Sequence, residues 1–246
     1  MSSPRIVSLV PSLTELVWWL GHGERLVGRT RFCTEPAGQV EAAPAVGGTK
    51  DPDVGRIVAL RPDVVIANRE ENRREDVEAL RGAGIDVLVT DPNTVAGAVA
   101  MILEIGGLVA AEAKARELAG EIDRAIQEPG PAGGPRVFVA VWKRPLLGLG
   151  SESYGHDLVE TAGASNVLAG RPRYPEVTWD ELRALAPELI LLPDEPYRFG
   201  KRHVAEFAAI APARLIDGKL LWWYGPRIPE AIRSLRRILS EAASGH

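Results

Sequence analysis

Six short segments place aromatic and cationic side chains directly after predicted buried strands. They are TRFCTEP (30–36), NREEN (68–72), WKRP (142–145), RPRYPE (171–176), DEPYRFGKRH (194–203) and WWYGPR (222–227). Tyrosine and tryptophan rings stack on flat conjugated ligands, and Arg and Lys orient carboxylates or phosphates. Open parallel sheets bind ligands beyond the carboxyl ends of their strands. We therefore take these segments as candidate ligand-binding loops.

The strands that precede these loops are short apolar runs separated by helical patterns. The runs cover residues 64–67, 87–89, 137–141 and 189–192, and such runs suit parallel strands buried on both faces. Helical patterns at 73–81 and 179–185 lie between them. The alternation predicts an α/β fold with two Rossmann-like lobes and mostly parallel sheets.

The N-terminal stretch RIVSLVPSLTELVWWLG (5–21) raises the question of a secretion signal. Pro11 and the polar residues after it interrupt the apolar run that a signal requires. The pattern instead predicts a strand at 5–10 and then a helix, with Ser12 and Glu15 forming a capping box. We therefore expect a cytoplasmic protein, or a periplasmic or other extracytoplasmic one if a leader has been removed.

Three segments of the first half recur in the same order in the second half. RIVSLV matches RVFVAV, LVWWLGHGERLVG matches LVETAGASNVLAG, and ALRPDVVIA matches ALAPELILL. The repeat predicts two copies of one α/β unit. An Ala- and Glu-rich segment joins them, and Gly106-Gly107 is expected to separate a short helix from a long one at about 109–127. The predicted domains are 1–107, a bridging helix 108–128, and 129–246.

Composition and charge exclude several classes of function. The net charge of −4 disfavours a nucleic-acid partner, and no apolar run reaches the roughly 18 residues that span a bilayer. The single cysteine, Cys33, excludes an internal disulfide and is expected to be a small apolar filler. Phosphate-loop, zinc-protease and serine-hydrolase motifs are missing.

The histidines give one candidate ligand. His22 and His246 are expected at the surface, and His156 at the start of a helix. His203 follows an aromatic, charged loop and is the histidine that we predict to contact a metal.

The order of several segments resembles one protein family. The segments are RIVSLVPSLTELVWWLG, VGRTRFCTEP, DVGRIVALRPDVVIA, ALRGAGIDVLV, HDLVETAGASNVLAG, YPEVTWDELRALAPELILLP and GPRIPEAIRSL. They resemble the helical-backbone (class III, vitamin B12/siderophore-type) substrate-binding proteins of ABC importers, and are most similar to the cobalamin-binding branch. The loops DEPYRFGKRH and WWYGPR resemble a subgroup whose members often lack export signals.

The resemblance implies two α/β lobes bridged by one long backbone helix, with a ligand cleft between the lobes. It implies a non-catalytic binding protein for a corrinoid or another metal chelate, without a catalytic cofactor. The implied partner is an ABC permease–ATPase pair. The acidic docking residues are atypical, since the matching positions hold Arg74, beside Glu75, and Trp222.

The resemblance also implies site residues. Trp142 matches an aromatic of the family's cleft, Arg227 matches the arginine of the PRI motif, and Asn68 stands where cobalamin binders have an aromatic. The complete predicted ligand-binding set is Arg31, Lys50, Asn68, Glu70, Trp142, Lys143, Arg173, Tyr174, Glu195, Tyr197, His203, Trp223, Tyr224 and Arg227. Its aromatic members would supply faces, and its cations would meet carboxylates, amides or phosphate. Glu195 and His203 would tune specificity or approach the metal.

Two other functions stay open at the level of sequence. A tetrapyrrole-handling enzyme such as a metal chelatase would use His203 and Glu195 on protons or metal, by analogy of fold alone. A free metal-ion binding protein would need His203 with nearby carboxylates.

Overall fold

The computed structural model describes residues 4–131 and 133–243 and divides into two compact α/β units. The first unit contains the residues up to Asp91, Gly97–Gly120 and Tyr224–Pro226; the second contains Pro92–Ala96, Glu121–Trp223 and the residues from Arg227 onward. The predicted domain boundaries stay a prediction, and His246 lies outside the described residues. No helix within the described ranges combines the length and apolarity needed to cross a membrane.

The first unit is built on a four-stranded parallel sheet with strand order β2-β1-β3-β4. Its elements are β1 (Ile6–Ser8), α1 (Pro11–Trp19), β2 (Leu26–Arg29), α2 (Val54–Ala59), β3 (Val64–Asn68), α3 (Arg74–Gly82) and β4 (Asp86–Thr90). Every residue of β1 and of β3 is buried, as expected for strands covered on both faces.

Two helices follow the first sheet, α4 (Val95–Leu108) and α5 (Glu112–Gln127). The boundary between the two units falls within α5, at Gly120. The helical segment predicted between the two repeats is therefore confirmed.

The second unit has a five-stranded sheet in which β5 lies between β6 and β8, β9 follows β8, and β7 also pairs with β5. Its elements are β5 (Arg136–Trp142), β6 (Leu147–Gly148), α6 (Tyr154–Thr161), β7 (Ser165–Asn166), α7 (Trp179–Ala184), β8 (Leu189–Pro193), α8 (Lys201–Phe207), β9 (Ala213–Ile216), α9 (Lys219–Trp222) and α10 (Ile228–Ala243). Only the β5–β6 pair is antiparallel among the named strand pairs of this sheet. The predicted α/β class with mostly parallel sheets is confirmed.

The predicted internal repeat extends to side-chain hydrogen bonds. In the first unit, Arg5 donates through Nε to the carbonyl of Arg61 at 3.1 Å and through Nη2 to that of Leu60 at 2.7 Å. The backbone N–H of Arg5 donates to Asp63 at 2.7 Å. Arg61 has a left-handed φ of 48°, which turns the chain from α2 toward β3.

The second unit repeats this clamp at the matching positions. Arg136 donates to the carbonyls of Ala186, at 3.2 Å, and Leu185. Its backbone N–H donates to Glu188 at 2.7 Å, and Ala186 has a φ of 45°. The two units therefore share a connection between helix, turn and strand that the sequence repeat alone did not specify.

Two predictions about helix ends are wrong. Helix α1 begins at Pro11, and its N-cap residue Val10 makes no side-chain cap hydrogen bond. Ser12 and Glu15 therefore do not form a capping box, because Pro11 occupies the first helical position, where its missing N–H and fixed φ suit the helix. Gly106-Gly107 lies inside α4 rather than at the break, which falls at Ala110 with a φ of 56°.

The position of Gly106 is explained by close packing. A Cβ placed on Gly106 would lie 2.4 Å from the Cβ of Ala115, whereas a Cβ on Gly107 meets no heavy atom within 4 Å. Glycine at position 106 therefore allows α4 to approach α5 closely, despite its low helix propensity.

We expect opposite results from the two matched glycine substitutions. Gly106→Ala should lower the free energy of unfolding by about 1–3 kcal/mol through overpacking. Gly107→Ala should raise it by about 0.5–1 kcal/mol, because alanine loses less backbone freedom on folding. Thermal unfolding of both variants measures the difference, and equal stabilities would contradict this account of the helix contact.

Candidate functional site

A network of asparagine side chains organises the carboxyl edge of the first sheet. Asn68 ends β3 and is 1% exposed, and its Oδ1 accepts the backbone N–H of Glu70 at 2.8 Å. Asn72 Oδ1 accepts the N–H of Asn68 at 2.8 Å, and its Nδ2 donates to the carbonyl of Thr49 at 2.9 Å. The side chain of Asn68, which the sequence placed in the ligand set, is thus used to fold its own loop.

The other predicted residues of this edge also bond to their neighbours. Lys50 Nζ donates to the carbonyl of Glu70 at 2.6 Å. Arg31 forms a two-nitrogen ion pair with Asp51, each contact 3.1 Å long. Beside it, Phe32 is 51% exposed and has the Arg31 guanidinium 4.8 Å from its ring centroid. The sequence analysis did not single out Phe32.

An aromatic ledge lies at the carboxyl edge of the second sheet, formed by Trp142, Tyr197, Phe199 and His203. Trp142 ends β5 and is 40% exposed. The ring of Tyr197 meets it edge-on, with centroids 5.3 Å apart and an interplanar angle of 71°. The rings of Phe199 and His203 are buried and pack against Tyr197, with centroid distances of 4.7 and 5.6 Å. The structure thus joins Trp142, Tyr197 and His203 in one aromatic group, and the contact of these residues with a ligand stays a prediction.

His203 has a structural partner inside this ledge. The backbone N–H of Gly200 donates to His203 Nδ1 at 2.9 Å, and Arg202 Nε donates to His203 Nε2 at 3.3 Å. The pKa of His203 is lowered, first by burial and then by the positive charges of Lys143 and Arg202. The described residues contain no group of three or more His, Cys, Asp or Glu side chains able to hold a metal ion. Metal contact by His203 stays a prediction.

Lys143 is largely covered rather than presented at the surface of this edge. It forms an ion pair with Glu206, and 9% of its side chain is exposed. Its Nζ also lies 5.8 Å from the centroid of the Trp179 ring. The ion pair therefore links α8 to the residue that follows β5.

A second aromatic group surrounds Glu195. Trp223 Nε1 donates to Glu195 Oε1 at 3.0 Å, and Trp222 Nε1 donates to its carbonyl at 2.7 Å. Lys219 Nζ and the Arg227 guanidinium lie 4.9 and 5.2 Å from the centroid of the Trp223 ring. Burial raises the pKa of Glu195, and the hydrogen bond from Trp223 opposes that rise.

The segment Trp222–Tyr224 follows a helix rather than a strand. Trp222 ends α9, and Trp223 follows it in an extended conformation. Trp223 and Tyr224 are 7% and 5% exposed, so both rings are largely covered. Their contact with a ligand stays a prediction.

The remaining members of the predicted set are Arg173 and Tyr174. Arg173 has a left-handed φ of 62° and donates to the carbonyl of Glu152 at 3.1 Å. Its guanidinium lies 5.9 Å from the centroid of the half-buried Tyr174 ring. The two form a cation–aromatic pair within the second unit.

Neither position matched to the family's docking acids holds an acidic residue, since they are Arg74 in the first unit and Trp222 in the second. Arg74 and Glu75 are exposed at the start of α3, and Arg74 pairs with Glu78 at 2.6 Å. Trp222 is half-buried, and its Nε1 donates to the backbone carbonyl of Glu195 at 2.7 Å.

Cys33 is a packing residue. It is 1% exposed, and its Sγ accepts the hydroxyl of Thr14 at 3.0 Å. Burial raises the pKa of the thiol, which keeps it protonated and unreactive at neutral pH.

Comparison with known proteins assigns this arrangement to a family. The family described as periplasmic binding protein matches residues 6–209. The chain belongs to the periplasmic binding protein family.

Three relatives illustrate the range of that family. The vitamin B12-binding protein of Pectobacterium carotovorum is 26% identical over 200 residues, which cover 78% of this chain and 72% of the relative. An uncharacterized ABC transporter substrate-binding lipoprotein of Bacillus subtilis, YvrC, is 28% identical over 250 residues, covering 94% and 78%. The solved structure of the periplasmic haem-binding protein BhuT with two haems has a TM-score of 0.84 at 27% identity and covers 98% of this chain and 99% of its own.

The predicted resemblance to substrate-binding proteins of ABC importers is thereby confirmed. The three relatives are binding proteins by name, and none is named as an enzyme. Two of the three names refer to the periplasm or to a lipoprotein, and none supports the expected cytoplasmic location.

The structure adds residues to this periplasmic binding protein that sequence reasoning missed. Asn72 and Phe199 organise the two edges, and Phe32 is exposed on the first. Asn72 was visible only as part of the polar loop NREEN, and its partners Leu9 and Thr49 lie far away in sequence.

We expect Asn72→Ala to destabilise the first unit. The substitution leaves the N–H of Asn68 and two backbone carbonyls without this partner, and should lower the free energy of unfolding by about 2–4 kcal/mol. Asn72→Asp keeps the acceptor oxygen and should have an intermediate effect. Thermal unfolding orders the three proteins, and an alanine variant as stable as the parent would overturn the assigned role.

Glu195 should make stability fall as the pH rises. Its folded-state pKa is raised, so the folded protein binds the proton more tightly than the unfolded chain, and stability declines between the ordinary and the raised pKa. Glu195→Gln retains an acceptor for Trp223 and should remove this decline. Glu181→Gln is the control of opposite sign, because hydrogen bonds from Thr178 lower the pKa of Glu181. Melting temperatures from pH about 4 to about 8 test both.

Proposed function

We propose that this chain is the extracytoplasmic substrate-binding component of an ABC importer, and that it binds a corrinoid or another metal chelate without catalysis. Membership of the periplasmic binding protein family supports the transport role. Relatives named for vitamin B12 and haem support a flat metal chelate as the ligand class.

The exposed ring of Trp142 is the observation that carries this proposal. A tryptophan that is 40% exposed at the end of a central strand has apolar area to bury against a ligand. Tyr197 holds the ring edge-on, and the buried aromatics behind Tyr197 restrict its motion. Such a preformed surface binds with little loss of side-chain freedom, which favours affinity.

Transport requires delivery to a permease–ATPase pair. Of the positions matched to docking acids, the first unit offers exposed Glu75, whereas Trp222 takes the corresponding place in the second unit. We propose that docking of this chain depends on one acidic contact rather than on two.

Replacement of Trp142 should weaken chelate binding. Loss of one aromatic face is worth about 1–2 kcal/mol, so Trp142→Ala should raise the Kd roughly 5- to 30-fold. The measurement is a titration with hydroxocobalamin and, separately, with haemin, followed by the visible spectrum of each chelate. Leu215→Ala removes a side chain of similar exposure (41%) from β9 in the same unit and should leave the Kd unchanged.

Two results would contradict the proposal. Absence of saturable binding of both chelates up to high micromolar concentration would reject a chelate ligand. Multiple turnover, such as metal insertion into a free tetrapyrrole, would replace the binding function with an enzymatic one.

A further inference from the structure

The outer strand β4 of the first sheet has an open hydrogen-bonding edge. Among the described strands, β4 pairs only with β3. Thr90 directs its backbone toward β3, and the carbonyl of Thr90 accepts the N–H of Arg69 at 2.9 Å. Backbone groups alternate in direction along a strand, so Val87 and Val89 direct their N–H and C=O groups away from β3. The hydrogen bond from Arg81 Nη2 to the carbonyl of Val87, at 3.1 Å, lies on this outer side.

The other outer strands are covered or carry a charge at their centre. The N–H and the carbonyl of Arg29 in β2 bond to the segment 44–46, and β6 bonds to the segment 175–177. Among the described strands, β9 also pairs on one side only, with Arg214 near its centre. Two antiparallel copies of β9 would place like charges opposite each other, which is unfavourable. The centre of β4 is instead the apolar Leu88.

The edge of β4 is complementary to itself. An antiparallel second copy centred on Leu88 would place Val87 opposite Val89 of that copy, and Val89 opposite its Val87. Each such pair exchanges both of its backbone hydrogen bonds. The carbonyl of Val87 has a second lone pair, so its bond from Arg81 need not be lost. Leu88 would then meet Leu88 of the second copy as a close pair without backbone hydrogen bonds.

The charges at the two ends of β4 fit the same register. Asp86 is exposed at the start of the strand, and Arg69 pairs with Asp91 beyond its end, at 3.0 Å. Antiparallel pairing would place Asp86 opposite the last residue of β4 in the second copy, whose carbonyl binds Arg69. It would place the second copy's Asp91 opposite Ile85, at a cavity of about 560 Å³ that Arg81 also lines. An acid therefore meets an arginine at both ends of the strand pair.

We propose that the outer edge of β4 is a docking surface for a second copy of this chain, paired antiparallel about Leu88. The first sheet then continues from one copy into the other. A single pair of short strands buries little area, so the association is weak and reversible. The surface uses none of the residues in the predicted ligand-binding set, and the inference is therefore independent of the proposed function.

Cysteine cross-linking tests the register. Leu88→Cys places a thiol opposite its own copy, at a Cα separation that a disulfide can span. Cys33 does not compete, because it is 1% exposed. Asp86→Cys is the matched control on the same face of β4, since its own copy would lie about 13 Å away along the strand. Under mild oxidation, Leu88→Cys should form a covalent dimer at least about 10-fold faster than Asp86→Cys.

Sedimentation velocity tests the surface without a covalent bond. The parent should show a monomer–dimer equilibrium with a Kd of about 10–100 µM, as a small interface allows. Asp86→Arg replaces attraction to Arg69 of the second copy by repulsion, twice by symmetry, and should raise this Kd about 5- to 30-fold. The control Asp123→Arg makes the same change of net charge at an exposed position of α5 and should leave the Kd unchanged.

The outcomes decide the docking surface without reference to the ligand. A parent that stays monomeric at about 500 µM would overturn it. Equal cross-linking of the two cysteine variants, or a dimer that Asp86→Arg weakens no more than Asp123→Arg does, would place any association elsewhere and overturn it as well. Cross-linking at position 88 together with a dimer that depends on Asp86 supports it.

Discussion

The two arginine clamps are the constraint on which both sheets depend. Arg5 and Arg136 stand at the beginning of the central strands β1 and β5, and each binds the last carbonyls of the helix that leads into the neighbouring strand. These carbonyls would otherwise lack a partner at the helix end. The clamp therefore fixes the helix, the turn and the start of two strands as one piece, and it sets where the opposite, carboxyl ends of those strands lie.

The same scaffold supports two chemically different edges. In the first unit, Asn68 and Asn72 use their hydrogen-bonding groups to hold the loops, so little polar capacity is left for a ligand. In the second unit, buried aromatic packing carries that structural role, and Trp142 is left exposed above it. The second edge is consequently the one that presents an exposed aromatic ring.

The loops that carry the candidate residues could be identified from sequence, although the contacts of their side chains could not. The loops after the strands were identifiable because parallel strands end at a common edge, and Trp142, Tyr197 and His203 do meet there. Lys143 gave no sign of its ion pair with Glu206, since 63 residues separate them. The hydrogen bond from Trp223 to Glu195 likewise joins residues that are far apart in the chain.

The sequence by itself determined the α/β class, the internal repeat and the family, because apolar runs and their order in the chain carry that information. Helix ends were predicted poorly from sequence. The capping box predicted at Ser12 does not form, because the helix begins at Pro11. Gly106 lies at a close contact between two helices rather than at a helix break. Only the tertiary structure decided which side chains are buried or hydrogen-bonded within the protein and which stay exposed. The physical reason is that hydrogen bonds and ion pairs between remote segments depend on distances that only the folded chain sets.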